Sequence, residues 1–171
     1  VGAINEYYRA MDRDAAIVHP ECPRAIDTPD EGPAFDAVDA GKVDPEYEFC
    51  KLVALILGEP YSVDLVGLTF LYPPPEGAPQ SPEEADALPE GSPYLEGPVV
   101  AEFAGRVRDA LAGVENDRLL ALAAQWSTIE EFEIYSDTGP QDLLPLIEEL
   151  VGLARRAKEH EQQLYCWMGG W

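Results

Sequence analysis

The sequence predicts an α+β fold: a single, helix-rich domain over residues 1–171, with a small mixed or antiparallel sheet that includes the C-terminal strand. Three observations carry this expectation. Helical periods dominate, and the few strand-like segments stand apart instead of alternating with helices, which disfavours a doubly wound sheet. From Asp142 the residues Leu143, Leu146, Ile147, Leu150, Leu153, Ala154 and Ala157 form one apolar stripe at helical spacing. Beyond it Leu164, Cys166 and Met168 alternate with Tyr165 and Trp167, a strand period in strand-favouring residues, until Gly169 and Gly170 end the run.

Taken in order, Ala3 to Ala10 reads as a strand, and Arg13 to Val18 as one or two helical turns stopped by His19-Pro20. Glu21 to Val43 reads as a loop punctuated by Pro23, Pro29, Gly32, Pro33 and Gly41, with Asp27, Asp30, Glu31, Asp36 and Asp39 facing little opposing charge. Asp44-Pro45 starts a helix, with Asp44 as cap and Pro45 at its first position. Phe49, Leu52, Val53, Ile56 and Leu57 give it an apolar face, and Gly58 stops it.

Leu65 to Tyr72 is nearly all apolar and reads as a buried strand that Gly67 weakens. Residues 73–97 form a Pro-rich acidic loop or insertion, with Glu76, Glu83, Glu84, Asp86, Glu90 and Glu96 and no Lys or Arg. Within it Ser81 can cap a short helix. Pro98 leads a helix through Ala112 on Val100, Phe103, Val107, Ala110 and Leu111, with Glu102 and Arg106 as an i,i+4 pair. A helix follows over Asp117 to Trp126, and Ser127-Thr128-Ile129-Glu130 has capping-box spacing. Phe132 to Tyr135 reads as a short strand or an irregular segment. In the last helix Asp142 and the trio Arg155, Arg156 and Lys158 suit the two ends of the dipole. Pro145 is expected in its first turn, where a missing N–H costs nothing.

The formal net charge of −22 disfavours nucleic acid and anionic membrane, both of which such a surface repels. A chain of 171 residues is long enough to bury roughly 70% of the surface its unfolded form exposes, and its 46% of hydrophobic residues is ordinary for a globular protein. Three cysteines, Cys22, Cys50 and Cys166, suggest neither a disulfide framework nor a paired zinc motif. With no secretory signal visible and no bilayer-length apolar run, the expectation is a soluble cytoplasmic protein with reduced thiols.

Gly2 to Ala10, the Asp44–Gly58 helix, Gly97 to Leu111, Gln125 to Glu133 and the closing Leu164-Tyr165-Cys166-Trp167 carry a resemblance. Their order resembles small actinobacterial proteins of unknown function that are similar to the YfbM-like bacterial domain. The likeness covers most of the chain except Pro73 to Gly97. It implies an intracellular α+β domain and brings no reaction and no catalytic residues with it.

Four constellations bear on chemistry. Trp126 with Glu130, Glu131 and Glu133, and Tyr135 near, could pair an acid and a base beside an aromatic wall. The plainer reading, a helix terminus with solvated glutamates, outweighs it. His19, Glu21 and Cys22, with His160 far away, make a poor metal set, so no metal and no cofactor is expected. Cys166 and Cys50 read as core packing, not nucleophiles. Trp167 and Trp171, with Tyr7 and Tyr8 on a neighbouring strand, offer an aromatic interface, with core packing as the commoner use of such residues. The resulting expectation is an acidic module that binds a protein partner with a cationic surface, with a homo-oligomer left open. The alternative is an enzyme using the glutamates beside Trp126.

Overall fold

A computed structural model describes residues 3–25, 35–135 and 138–170. The expectations placed on Trp171, on Asp27, Asp30 and Glu31, and on the side chain of Tyr135 lie outside what it describes.

The described residues form an α+β domain around a five-stranded antiparallel sheet of strand order β2-β1-β5-β4-β3. Its strands are β1 (Ile4–Ala10), β2 (Ala37–Asp39), β3 (Thr69–Tyr72), β4 (Val99–Glu102) and β5 (Gln163–Gly169). The helices are α1 (Arg13–Ala16), α2 (Glu48–Leu57), α3 (Pro82–Asp86), α4 (Pro93–Glu96), α5 (Gly105–Ala112), α6 (Leu119–Trp126), α7 (Glu130–Tyr135) and α8 (Pro140–Glu159). β5 is central. It pairs with β1 from Ile4↔Gly169 to Ala10↔Gln163, and with β4 from Val99↔Met168 to Glu102↔Tyr165.

Alternation along β5 serves two separate cores. Leu164 and Cys166, with Met168 partly buried, join Tyr7, Phe49, Phe103 and the apolar faces of α2, α5, α6 and α8. Tyr165 and Trp167 join Tyr8, Val100 and Ala16 on the opposite face, with Phe35 packed against them. In the larger core Tyr7, Phe49 and Phe103 form an aromatic triad with centroids 4.6 to 5.8 Å apart. The Tyr7 hydroxyl donates to the Val43 carbonyl at 2.7 Å, which satisfies the one polar atom that ring buries.

Several expectations need correction. β4 and α5 replace the single helix expected from Pro98, so Val100 lies on the opposite side of the sheet from Phe103 and Val107. The Glu102–Arg106 pair does not form; Glu102 binds Arg13 and Arg106 binds Glu59, each at 2.9 Å. Phe132 to Tyr135 is helical, part of α7. The Ser127 hydroxyl donates back to the Ala124 carbonyl instead of capping α7.

The apolar run from Leu65 divides into a 3-10 turn, Val63–Val66, and the edge strand β3, where Thr69 and Phe70 are exposed. Gly67 joins them at φ +55°, and a Cβ there would press on the Cβ of Ala104. Residues 73–97 hold one 3-10 turn and α3 and α4, and Ser81 caps α3 by accepting from the Glu84 N–H at 3.2 Å. β2 lies within the expected loop. α8 begins at Pro140, with Asp142 accepting from the Gly139 N–H at 3.0 Å. Pro145 is therefore in the second turn, and the carbonyl of exposed Gln141 loses its intrahelical donor to solvent.

Candidate acidic pocket

The helix expected with Pro45 at its first position begins three residues later, at Glu48. The Asp44 carboxylate accepts from the Glu46 N–H at 2.8 Å, while the Glu48 carboxylate accepts from the Asp44 N–H at 3.0 Å. These bonds fix a turn ahead of α2 and hold Asp44, Tyr47 and Glu48 at its mouth. The buried Trp126 at the end of α6 donates its indole N–H to the Glu48 carbonyl at 2.7 Å. Its ring meets Phe132 of α7 edge-on, with centroids 5.1 Å apart. Trp126 thus ties α7 to the start of α2 from beneath.

Between those two elements lies a hollow of about 380 Å³ lined by Asp44, Tyr47, Glu48, Glu130, Glu131 and Ile134. Tyr47 and Ile134 are 50% and 59% exposed, so its rim is partly apolar. A second hollow of about 240 Å³ shares Glu48 and Glu131 and adds Lys42, Val43, Phe132, Thr138 and Leu143.

Glu131 is bound by the Lys51 ammonium, whose Nζ also lies 5.1 Å from the centre of the Tyr61 ring. The other Glu131 oxygen, Oε2, is buried with no hydrogen-bond donor. Burial raises the Glu131 carboxyl pKa, but the Lys51 hydrogen bond, a backbone N–H and the Lys51 charge together hold it below the ordinary value. Glu48 is shifted the other way. Burial pushes it up against the backbone donors that favour its charge, and the Asp44 and Glu131 carboxylates push it further. Among the described residues, four carboxylates line the two hollows, against Lys42 in the lining and Lys51 bound to Glu131. The arrangement attracts cations, and its apolar rim can hold an aliphatic stem.

The sequence-derived residues are only partly brought together. Glu130 and Glu131 line the hollow; Glu133 is exposed and outside its lining. Trp126 is no aromatic wall, because its ring is in the core. Trp167 is 4% exposed with its indole N–H on the Pro20 carbonyl at 2.8 Å, and its ring forms one side of a hollow of about 310 Å³ with Glu21, Pro23 and Glu96. Tyr7 and Tyr8 do lie on the strand beside it, but both are buried. Asp44, Tyr47 and Glu48 are the site residues sequence reasoning missed as such, because about eighty positions separate them from Glu130.

Elsewhere the chemistry is sparse. None of the three cysteines is disulfide-bonded. Burial pushes the Cys166 and Cys50 thiols up, with acidic neighbours adding to it, which makes both poor nucleophiles. His19 contacts Glu21 at 3.3 Å on the surface, and the His160 Nδ1 meets the Arg156 carbonyl at 2.8 Å. Among the described residues no group of three or more His, Cys, Asp or Glu side chains is placed to hold a metal ion. Among them, too, no helix is long and apolar enough to cross a membrane. Comparison with family models, with curated proteins and with solved structures finds no match for this chain.

Proposed function

We propose that this chain is a binding module whose acidic pocket, between the start of α2 and α7, receives a lysine or arginine side chain of a protein partner. The observation that carries the reading is the gathering of Asp44, Glu48, Glu130 and Glu131 around one hollow with Tyr47 and Ile134 exposed at its rim. A cationic head meets the carboxylates while its methylene stem lies along the rim. The net charge of −22 supports it, since such a surface draws cationic partners in and repels nucleic acid and anionic membrane. A cytoplasmic setting and kinship with the YfbM-like proteins belong to the same proposal, the kinship resting on the segments that carry the resemblance.

Titration calorimetry with a hexa-arginine peptide, against a hexa-glutamate control, tests it. Binding of the arginine peptide should weaken from low to moderate salt. Glu130→Lys should weaken it about tenfold. Glu130 is exposed, so the fold should not suffer. Affinity unchanged in Glu130→Lys and in Tyr47→Ala would refute the pocket.

One observation favours a second reading, an enzyme. Glu48 held up and Glu131 held down in one pocket is the pattern of an acid beside a base. Both groups are already engaged, Glu48 by the Asp44 N–H and Glu131 by Lys51, which places this reading second. Turnover of any small substrate that is lost in Glu48→Gln while hexa-arginine binding persists would reverse the order.

A further inference from the structure

The two edges of the sheet are unlike. β2 is three residues long, and Asp36 and Asp39 flank or end it. Asp36 is tied to Arg9 and Arg156 at 2.7 and 2.6 Å. At the other edge β3 reads Thr-Phe-Leu-Tyr, with no charged side chain, and among the described residues it pairs only with β4. Edge strands are normally guarded by charges, bulges or proline. β3 has an irregularity between Phe70 and Tyr72 and a following Pro73, but no charge.

Beside this edge is a groove of about 300 Å³ lined chiefly by Phe70, Tyr72, Pro73, Pro75, Pro93 and Tyr94. Phe70 is 44% exposed. The groove has a fixed wall, because the Tyr94 hydroxyl donates to the Pro74 carbonyl at 2.7 Å. Gly77 permits that placement; a Cβ there would collide with the Tyr94 hydroxyl. The surrounding segment, 73–97, carries six exposed carboxylates, Glu76, Glu83, Glu84, Asp86, Glu90 and Glu96, and no Lys or Arg.

We infer that the β3 edge and its groove dock an extended, basic polypeptide segment of another protein. One large apolar side chain of that segment sits between Phe70 and Tyr94, and flanking Lys or Arg residues face the carboxylates of 73–97. The three features specify different parts of the ligand. An unpaired strand edge offers main-chain hydrogen bonds and selects an extended conformation. An aromatic and proline-lined groove selects an apolar anchor. The acidic segment 73–97, which supplies five of the groove's eight lining residues and carries no Lys or Arg, selects positive flanks and rejects acidic ones. This surface is separate from the α2–α7 pocket and does not depend on it.

The probe is a bead-bound octapeptide library with a central leucine and lysine flanks, set against the same library with glutamate flanks. The lysine library should retain the protein and the glutamate library should not. Phe70→Ser should reduce retention at least about tenfold, while Phe70→Leu should largely restore it. N-methylation of alternate amides in a retained peptide should abolish binding, since it removes the main-chain donors. Glu130→Lys should leave unchanged the share of retention that Phe70→Ser removes. Equal retention by both libraries, or by neither, overturns the inference. Retention that responds to Glu130→Lys and not to Phe70→Ser also overturns it and transfers the peptide to the acidic pocket. A dimer that Phe70→Ser dissociates overturns it as well, because the edge would then be filled by a second copy.

Discussion

The two faces of β5 are both buried, yet they are covered by different kinds of structure. On one, Leu164 and Cys166 lie under α2, α5, α6 and α8, four helices that each turn an apolar stripe inward. On the other, Tyr165 and Trp167 lie under α1, a helix of four residues, and under the chain that follows it. A helix so short has no stability of its own. Its cover is held by polar tips. The Trp167 indole N–H ends on Pro20, the Tyr8 hydroxyl on Ala16, and the Arg24 guanidinium on Val18. That guanidinium also lies 5.3 Å from the Tyr8 ring centre and 4.9 Å from that of Phe35. The buried Glu6 carboxylate accepts the Arg24 and Ala25 N–H groups. One face is closed by volume; the other is closed by hydrogen bonds from large aromatics to an irregular segment.

Removing both faces at once should have the largest effect. Truncation after His160 deletes β5, and with it the pairing partner of both β1 and β4. It also removes two buried aromatics, each costing roughly 3–5 kcal/mol when lost from a core. The sum approaches the whole stability of an average domain, about 5–15 kcal/mol. The truncated chain should show no cooperative thermal transition. Melting within a few degrees of the full chain would mean that β5 is not central to stability.

Single substitutions should then separate the faces. Phe103→Ala opens a cavity under the helices and should cost about 3–5 kcal/mol in urea denaturation. Trp167→Phe keeps most of the ring but removes the donor to Pro20, and should cost about 1–2 kcal/mol. Hydrogen exchange should sharpen the contrast: Trp167→Phe should speed exchange over 15–25 and leave α8 unchanged. Equal losses from the two variants, or uniform acceleration, would erase the distinction.

The smallest effect concerns the polar tie at the rim of the helical face. A hydrogen bond from Arg156 is the main influence on Asp36; Arg9 and both charges add to it, and its pKa is lowered despite partial burial. A lowered folded pKa stabilises above the unfolded value of about 3.9, and the gain is lost as pH falls through the folded value. Asp36→Asn should therefore be less stable at neutral pH by no more than about 1 kcal/mol. The gap should close in acid. A gap that persists below the carboxylate range would assign the loss to packing and not to charge.

These contrasts also show which parts of the molecule were legible in sequence. α8 and β5 were, because seven stripe positions or five alternating ones leave a single period to choose. β4 was not: Val100, Phe103 and Val107 stand at helical spacing, although Val100 and Phe103 face opposite cores. α7 failed the other way, since Phe132 and Ile134 mimic a strand period while only Phe132 is buried. β2 buries only Val38, too little signal to separate it from a loop. In the pocket, Glu130 and Glu131 could be singled out by local clustering. Asp44 and Glu48 could not, because Asp44 is spent in a turn and the two segments meet only through tertiary packing by Trp126 and Phe132.

The place of β5 in the sheet also sets a schedule. Its pairings with β1 join residues 153 to 165 positions apart, from Ala10↔Gln163 to Ile4↔Gly169. A ribosome adding about 5–20 residues per second needs roughly 8–30 s to cover that interval. During that time the nascent chain can assemble only two fragments of sheet, β1 with β2 and β3 with β4. Each fragment has an open side that only β5 fills. A chain stalled within α8 would therefore present two unsealed strands to the cell, and those strands are where a chaperone would find its grip.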